Sequence, residues 1–298
     1  MPIDPNRDSW KPGEPWEKAL DEMDYIRSLA REMGGPDRIK RQHDGDRYTI
    51  RERIEKFLDP ESFFEAGPMV GAAEYDSDGN MTEFLPGAYV LGMGKINGRN
   101  VAIGGDDFTI SGGSPHNVHK GASQFTQRLA LQYGIPYVQF IEGVGHSSKS
   151  DEAAGHMGLP GGNIWYRQLE LLSKVPVAAG IMGSVAGAPA AFGLMSHFTV
   201  MIKGKSQIFP SGPPVVRRAL GEDLDKEQLG GAAVHVHTSG QIDNEADSEE
   251  EAFEQIKSFL SYLPDTTSEV APRVENDDPV DRRPEELLTI MPHNYYQL

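Results

Sequence analysis

Met182-Gly-Ser-Val-Ala-Gly-Ala-Pro-Ala-Ala-Phe-Gly-Leu-Met-Ser-His-Phe198 decides the reading of this chain. It continues an apolar run that starts at Val175, breaks in small residues and restarts as the apolar face of a helix. Gly183, Ala186, Gly187 and Ala188 keep bulky side chains away from the break, and Pro189 suits a first helical position, where its missing N–H costs nothing. Backbone N–H groups at such a start have no intrahelical partner and are partly positive, which suits an oxyanion. A tight strand-to-helix turn with no chemistry has the same composition, and this stretch alone does not separate the two.

A second turn of the same kind lies upstream. Gly134-Ile-Pro-Tyr-Val-Gln-Phe-Ile141 reads as a buried strand of β-branched and aromatic residues and breaks at Glu142-Gly-Val-Gly-His-Ser-Ser148. Two strand ends with bare backbone can each give one N–H to a single oxyanion hole, which is what a thioester enolate needs.

Composition narrows the classes. At 298 residues the chain can bury a sizeable core, and its 33 glycines and 21 prolines call for many turns. It contains no cysteine, which excludes disulfides, thiolate catalysis and a Cys-ligated zinc site and fits a cytoplasmic setting. No apolar stretch is long enough for a membrane span, and Met1-Pro-Ile-Asp-Pro-Asn-Arg7 lacks the features of a signal peptide. A net charge of −17 argues against nucleic acid as a partner. Much of that charge lies in Asp243–Glu254, where Asp243, Glu245, Asp247, Glu249, Glu250, Glu251 and Glu254 stand without Lys or Arg; it reads as a solvated helix face.

Along the chain, residues 1–35 form an arm anchored by Trp10 and Trp16 and a helix over Glu17–Met33 that stops at Gly34-Gly35-Pro36. A short helix follows over Tyr48–Leu58. Ala88–Met93 and Val101–Gly104 flank Asn97-Gly98, a strong hairpin signal, and Phe108–Ile110 continues the strand pattern. The spacing then predicts helix 116–133, strand 135–141, helix 162–174, strand 175–182, helix 189–197 and strand 198–203, an α/β alternation. Helices are expected over 213–219, 226–230 and 249–263. The core domain is read as 36–264, with an extended tail over 265–298.

Arg51-Glu-Arg-Ile-Glu-Lys-Phe-Leu-Asp-Pro60, Gly92-Met-Gly-Lys-Ile-Asn-Gly98, Asp106-Asp-Phe-Thr-Ile-Ser-Gly-Gly-Ser114, Gly212-Pro-Pro-Val-Val216 and Leu229-Gly-Gly-Ala232 with His235 and Ser239-Gly240 carry a family likeness. With them the chain resembles the N-terminal, acyl-CoA-binding half of the carboxyltransferase subunit of biotin-dependent acyl-CoA carboxylases, of the propionyl-CoA and methylcrotonyl-CoA type. The resemblance implies a crotonase-like α/β fold of repeated strand–strand–helix units with a helical N-terminal extension. It implies carboxyl transfer from carboxybiotin to an acyl-CoA. Biotin rides on a carrier protein, coenzyme A is part of the substrate, and the biotin ring nitrogen removes the α-proton. Position and backbone donors are then the protein's contribution. The implied partners are a separate C-terminal-half subunit, unless the sequence is a fragment of a longer chain, together with a biotin carboxylase and the biotin carrier, in a hetero-oligomer. The same fold also hosts a biotin-dependent decarboxylase running the transfer in reverse, or a scaffold that has lost activity.

By the same resemblance, the enolate donors map onto Val144, Gly145, Gly187 and Ala188. The usual Asp-Ser-Gly-Gly-Ala-Arg is Glu142-Gly-Val-Gly-His-Ser147 here, and the usual Ala-Gly-Gly-Ala is Ala186-Gly-Ala-Pro189. Val144 therefore places a branched side chain where glycine allowed close approach. His146 is a candidate contact for a polar acyl group. Ser111, Gly112, Gly113 and Lys120 are candidates for binding the substrate's phosphates, with Arg128, Lys203 and Lys205 behind them. His146-Ser147 does not make a serine nucleophile without a placed acid, and His116, His119, His235 and His237 do not make a metal site by spacing. A hydratase would need a carboxylate beside the hole, for which Glu142 is the obvious candidate.

Overall fold

The computed structural model describes residues 16–77, 81–114, 121–145 and 164–294. The N-terminal helices are α1 (Glu17–Arg31), α2 (Pro36–Asp44) and α3 (Ile50–Phe57). Thr49 caps α3 in a capping box with Glu52: its side chain accepts the Glu52 N–H, and the Glu52 carboxylate accepts the Thr49 N–H. The strands that follow are β1 (Phe64–Glu65), β2 (Gly71–Tyr75), β3 (Met81–Pro86), β4 (Tyr89–Ile96) and β5 (Arg99–Asp106). Next come α4 (Ala122–Tyr133), β6 (Tyr137–Val144), α5 (Ile164–Leu172), β7 (Val177–Ala186), α6 (Ala188–Leu194), β8 (Phe198–Ile202) and β9 (Gln207–Phe209). The chain continues through α7 (Pro213–Leu220), α8 (Lys226–Gly230), α9 (Ala232–His235), β10 (Asn244–Ala246), α10 (Glu249–Ser261) and α11 (Leu287–Ile290).

Among the described residues, the main sheet runs β1-β4-β5-β6-β7-β8-β10, with β9 added beside β7. The β4–β5 pair is the hairpin expected at Asn97-Gly98, with Ile96 opposite Arg99. From β5 to β8, and on to β10, neighbours are parallel. Helices cover both faces, so the strands are apolar in continuous runs rather than alternating. On one face Ile50, Ile54 and Phe57 of α3 and Phe253, Ile256 and Leu260 of α10 pack on Val138 and Phe140. On the other, Ala130 of α4 and Leu171 of α5 pack on Tyr137 and Val177. Three parallel strands therefore end side by side, at Asp106, Val144 and Ala186. Ligands bind at that carboxyl edge in open α/β sheets.

Two expectations are corrected. Phe108–Ile110 is not strand: β5 ends at Asp106, and the buried Asp107 carboxylate accepts both the N–H and the hydroxyl of Thr109. That local turn outcompetes the ladder. The acidic run Asp243–Glu254 is not one solvated helix face, because it contains β10 and the start of α10, and Glu249 is buried.

Candidate active site

The two turns come together, as the periodicity suggested. Gly145 and Gly187 lie against each other, with a Cβ on Gly187 reaching 3.9 Å from the Gly145 nitrogen. Gly145 must be small, since a Cβ there would meet Pro189 Cδ at 2.6 Å and the Ala188 nitrogen at 2.9 Å. Gly187 has φ +79, a backbone that side-chain-bearing residues rarely adopt, and it turns the chain from β7 into α6.

Among the described residues, the N–H groups divide into those with a partner and those without. Gly145 donates to Ala186 O at 3.0 Å and Gly187 donates to Phe209 O at 3.3 Å. These two glycines were expected as oxyanion donors; the prolonged β6–β7 ladder and the added strand β9 consume their N–H groups instead. Val144 is in register with Ala186, whose carbonyl takes the Gly145 N–H, so the Val144 N–H faces away from β7. Ala188 opens α6, where an N–H has no intrahelical partner. Val144 and Ala188 both keep an exposed position at the turn.

A cavity of about 250 Å³ opens beside this turn. Gly145, Ala188 and Pro189 form one part of its wall, and Phe140, Ile141 and Phe192 give an apolar stretch. Trp165 of α5 stacks on Phe192, with ring centroids 4.6 Å apart. Tyr89, Ser123, Gln124, Gln127, Gln139 and Asp106 supply the polar groups of the wall, and among the described residues Asp106 is its one acid. Burial pushes the Asp106 carboxyl up to about 8, so it carries a proton at neutral pH. Its Oδ2 accepts the Glu142 N–H at 3.3 Å. Tyr89 lies 3.4 Å from Tyr137, hydroxyl to hydroxyl, and burial holds both phenols above their ordinary range.

Glu142 does not face this cavity. Its carboxylate is buried between Arg47 (2.5 Å), Arg53 (2.6 Å) and Gln42 (2.8 Å), and Arg53 continues to Glu249 at 2.6 Å. Burial opposes the Arg53 charge, but Glu142 and Glu249 outweigh it and hold that guanidinium firmly protonated. The network ties the end of β6 to α2, α3 and α10. The carboxylate that does line the cavity is Asp106, which the sequence reading passed over. Its signal was an acid at the last residue of a strand, one position before an Asp with turn chemistry.

Other candidates separate. Ser111, Gly112 and Gly113 form a tight 3-10 turn with positive φ at all three. The Gly113 N–H donates to Ile110 O and the Ser114 N–H to Ser111 O, which leaves neither for a phosphate; Gly113 instead lines the cavity. His146 and Lys120 lie outside the described residues, as do His116 and His119. Lys205 pairs with Asp46, Lys203 approaches Glu245 at 3.7 Å, and Arg128 sits over the Phe125 ring. His235 bonds Ile208 O and His237 bonds Glu245; among the described residues no cluster of metal-ligating side chains occurs. No helix among the described residues is long and apolar enough to cross a membrane.

Comparison with known proteins gives a consistent result. The family described as "Carboxyl transferase domain" matches residues 41–297. The chain is 34% identical over 277 residues to the propionyl-CoA carboxylase carboxyltransferase subunit of Haloferax mediterranei, covering 93% of this chain and 53% of that one. It is 33% identical over 264 residues to methylmalonyl-CoA decarboxylase subunit alpha of Veillonella parvula, covering 88% and 51%. The transcarboxylase 12S structure, a hexamer with methylmalonyl-coenzyme A and methylmalonic acid bound, superposes with a TM-score of 0.76 at 29% identity over 94% of this chain and 54% of that one. The chain thus spans about half the length of the curated relatives it matches. The fold is crotonase-like, as in these carboxyltransferases. By sequence and by fold, the chain belongs to the carboxyl transferase domain family.

Proposed function

We propose that this chain is the acyl-CoA-binding half of a biotin-dependent carboxyltransferase. The observation that carries the reading is a pair of N–H groups, Val144 and Ala188, without a partner among the described residues, at the adjoining ends of β6 and β7 beside a cavity that Gly145 and Ala188 line. The thioester carbonyl sits at this turn with its acyl group in the cavity. As the α-proton leaves, charge develops on the thioester oxygen, and two fixed donors stabilise that charge more than the ground-state carbonyl. Gly145 and Gly187 contribute shape, letting the two strand ends approach each other. Val144 narrows the approach with its branched side chain. His146 is a candidate contact for a polar acyl group, and Lys120 for a phosphate of coenzyme A.

Among the described residues, no ionised carboxylate faces the cavity to serve as the base. Glu142 is neutralised within its arginine pair, and Asp106 is protonated at neutral pH. Biotin, when bound on its carrier, supplies the carboxyl group and the proton-accepting ring nitrogen. The partners in this reading are the biotin-side half of a carboxyltransferase, a biotin carboxylase and a biotin carrier, assembled as a hetero-oligomer. Its setting is the cytoplasm.

The test is transfer of labelled carboxyl from carboxybiotin to short acyl-CoAs in the assembled enzyme, wild type against Ala188→Pro. Proline at the first helical position spares the helix and deletes one donor. The account predicts transfer by the wild type and a loss of about 10²- to 10³-fold in kcat for the variant. Unchanged turnover refutes the assigned hole. A second reading, decarboxylation of a malonyl-type acyl-CoA onto biotin, rests on the likeness to the Veillonella parvula subunit. The same assembly, supplied with a malonyl-type acyl-CoA and free carrier, separates the two directions.

A further inference from the structure

The floor of the cavity holds an acceptor with nothing to accept. Gln127, on α4, lines the cavity and is only 2% exposed. Its amide orientation is set by a chain of bonds. Met195 O can only accept, so Gln168 presents its Nε2 there, at 2.5 Å. Gln168 Oε1 then accepts Gln127 Nε2 at 2.7 Å. Gln127 is left with its Oε1 buried, fixed and without a partner among the described residues. Gln124 stands three residues earlier on the same helix, on the same face, and lines the same cavity. Its Oε1 is also buried and has no partner among the described residues. Buried acceptors of this kind are uncommon in folded proteins and call for a donor.

From this geometry we propose that the cavity selects a β-hydroxyacyl group, whose hydroxyl donates to Gln127 Oε1. The proposal rests on the acyl-CoA reading above. The thioester lies at the exposed turn, so coenzyme A leaves through the mouth and the acyl chain runs inward to Gln127. The α-carbon must stay free to react, which makes the β-carbon the first position able to carry the hydroxyl. Among the described residues no Lys, Arg or His lines the cavity, so the polar groups that are placed there favour a neutral hydroxyl over a carboxylate. An alkyl chain leaves the acceptor unmet. Asp106, whose carboxyl burial raises to about 8, adds no repulsive charge at neutral pH.

Calorimetric titration of the full chain with β-hydroxybutyryl-CoA, butyryl-CoA and coenzyme A tests this. The hydroxy ester is expected to bind at least about tenfold more tightly than butyryl-CoA. In Gln127→Met that preference disappears, because the hydroxy ester loses its acceptor and butyryl-CoA no longer buries an unmet one, while affinity for coenzyme A, which has no acyl chain, changes least. Equal binding of the two esters by the wild type overturns the proposal and leaves the acyl-CoA reading standing. A variant that weakens all three ligands alike also overturns it, since the donor is then an amide N–H of the coenzyme A arm. If none of the three binds the wild type, the acyl-CoA reading itself fails and takes the proposal with it.

Discussion

Arg53 is 1% exposed and bonds two carboxylates, Glu142 at the end of β6 and Glu249 at the start of α10. Removing the guanidinium leaves both acids buried, with only Arg47 and Gln42 remaining on Glu142. Breaking a buried ion pair from one side costs about 3–5 kcal/mol. Arg53→Met is therefore expected to lower unfolding stability by at least about 3 kcal/mol in a urea titration; a change near zero would contradict the assigned network. This residue pair also shows where sequence reading stops. Glu142 was legible as an acid beside a functional turn, but its partner in space stands 89 positions away. The acidic run that includes Glu249 has the composition of a solvated face, and burial of that member depends on distant partners, the Arg53 guanidinium and the Tyr48 N–H. Asp106 escaped for a related reason: its environment is built by Tyr89, Gly113 and Glu142, none of which marks it in the linear order.

Elements were more legible than side-chain partners. The β4–β5 hairpin follows from Asn97-Gly98, and the break between β7 and α6 follows from small residues and Pro189. These signals are local, so they survive folding unchanged. The short strands β1, β2, β3 and β10 were missed because their sequences lack a sustained alternation, and their pairing depends on neighbours already in place. The turn proposed as an oxyanion hole was half legible. Its two strand ends were recognised, but which N–H groups remain free depends on the β6–β7 register and on β9, both non-local. Element-level stability offers its own check. Thr49 caps α3, which carries Arg53, and Thr49→Ala removes both the N–H acceptor and one hydroxyl bond to Glu52. A loss of about 1 kcal/mol in denaturant midpoint analysis is expected. Loss of the cap with no change in stability would mean that packing alone holds α3.

At the scale of the whole molecule, Asp106 couples the cavity to stability. Its carboxyl is raised from an ordinary 3.8 to about 8 by burial. The native state therefore holds a proton that the unfolded chain has released across that interval. This contribution is complete below about pH 4, declines by about 1.4 kcal/mol per pH unit as pH rises, and is lost above about 8. Asp106→Asn removes this dependence, so the difference in unfolding free energy between variant and wild type should grow in favour of the variant from pH 6 to 8. Parallel pH profiles for the two proteins would show that Asp106 is ionised in the native state.

In the proposed site, the Val144 and Ala188 N–H groups hold a thioester oxygen at the adjoining ends of β6 and β7. The most direct measurement is the infrared band of a carbonyl-labelled acyl-CoA thioester bound to the full chain, wild type against Ala188→Pro. Two donors polarise the carbonyl, so the account predicts a band at lower frequency in the wild type that moves back up when one donor is deleted. The same band position in both proteins, with the ligand bound in each, would contradict it.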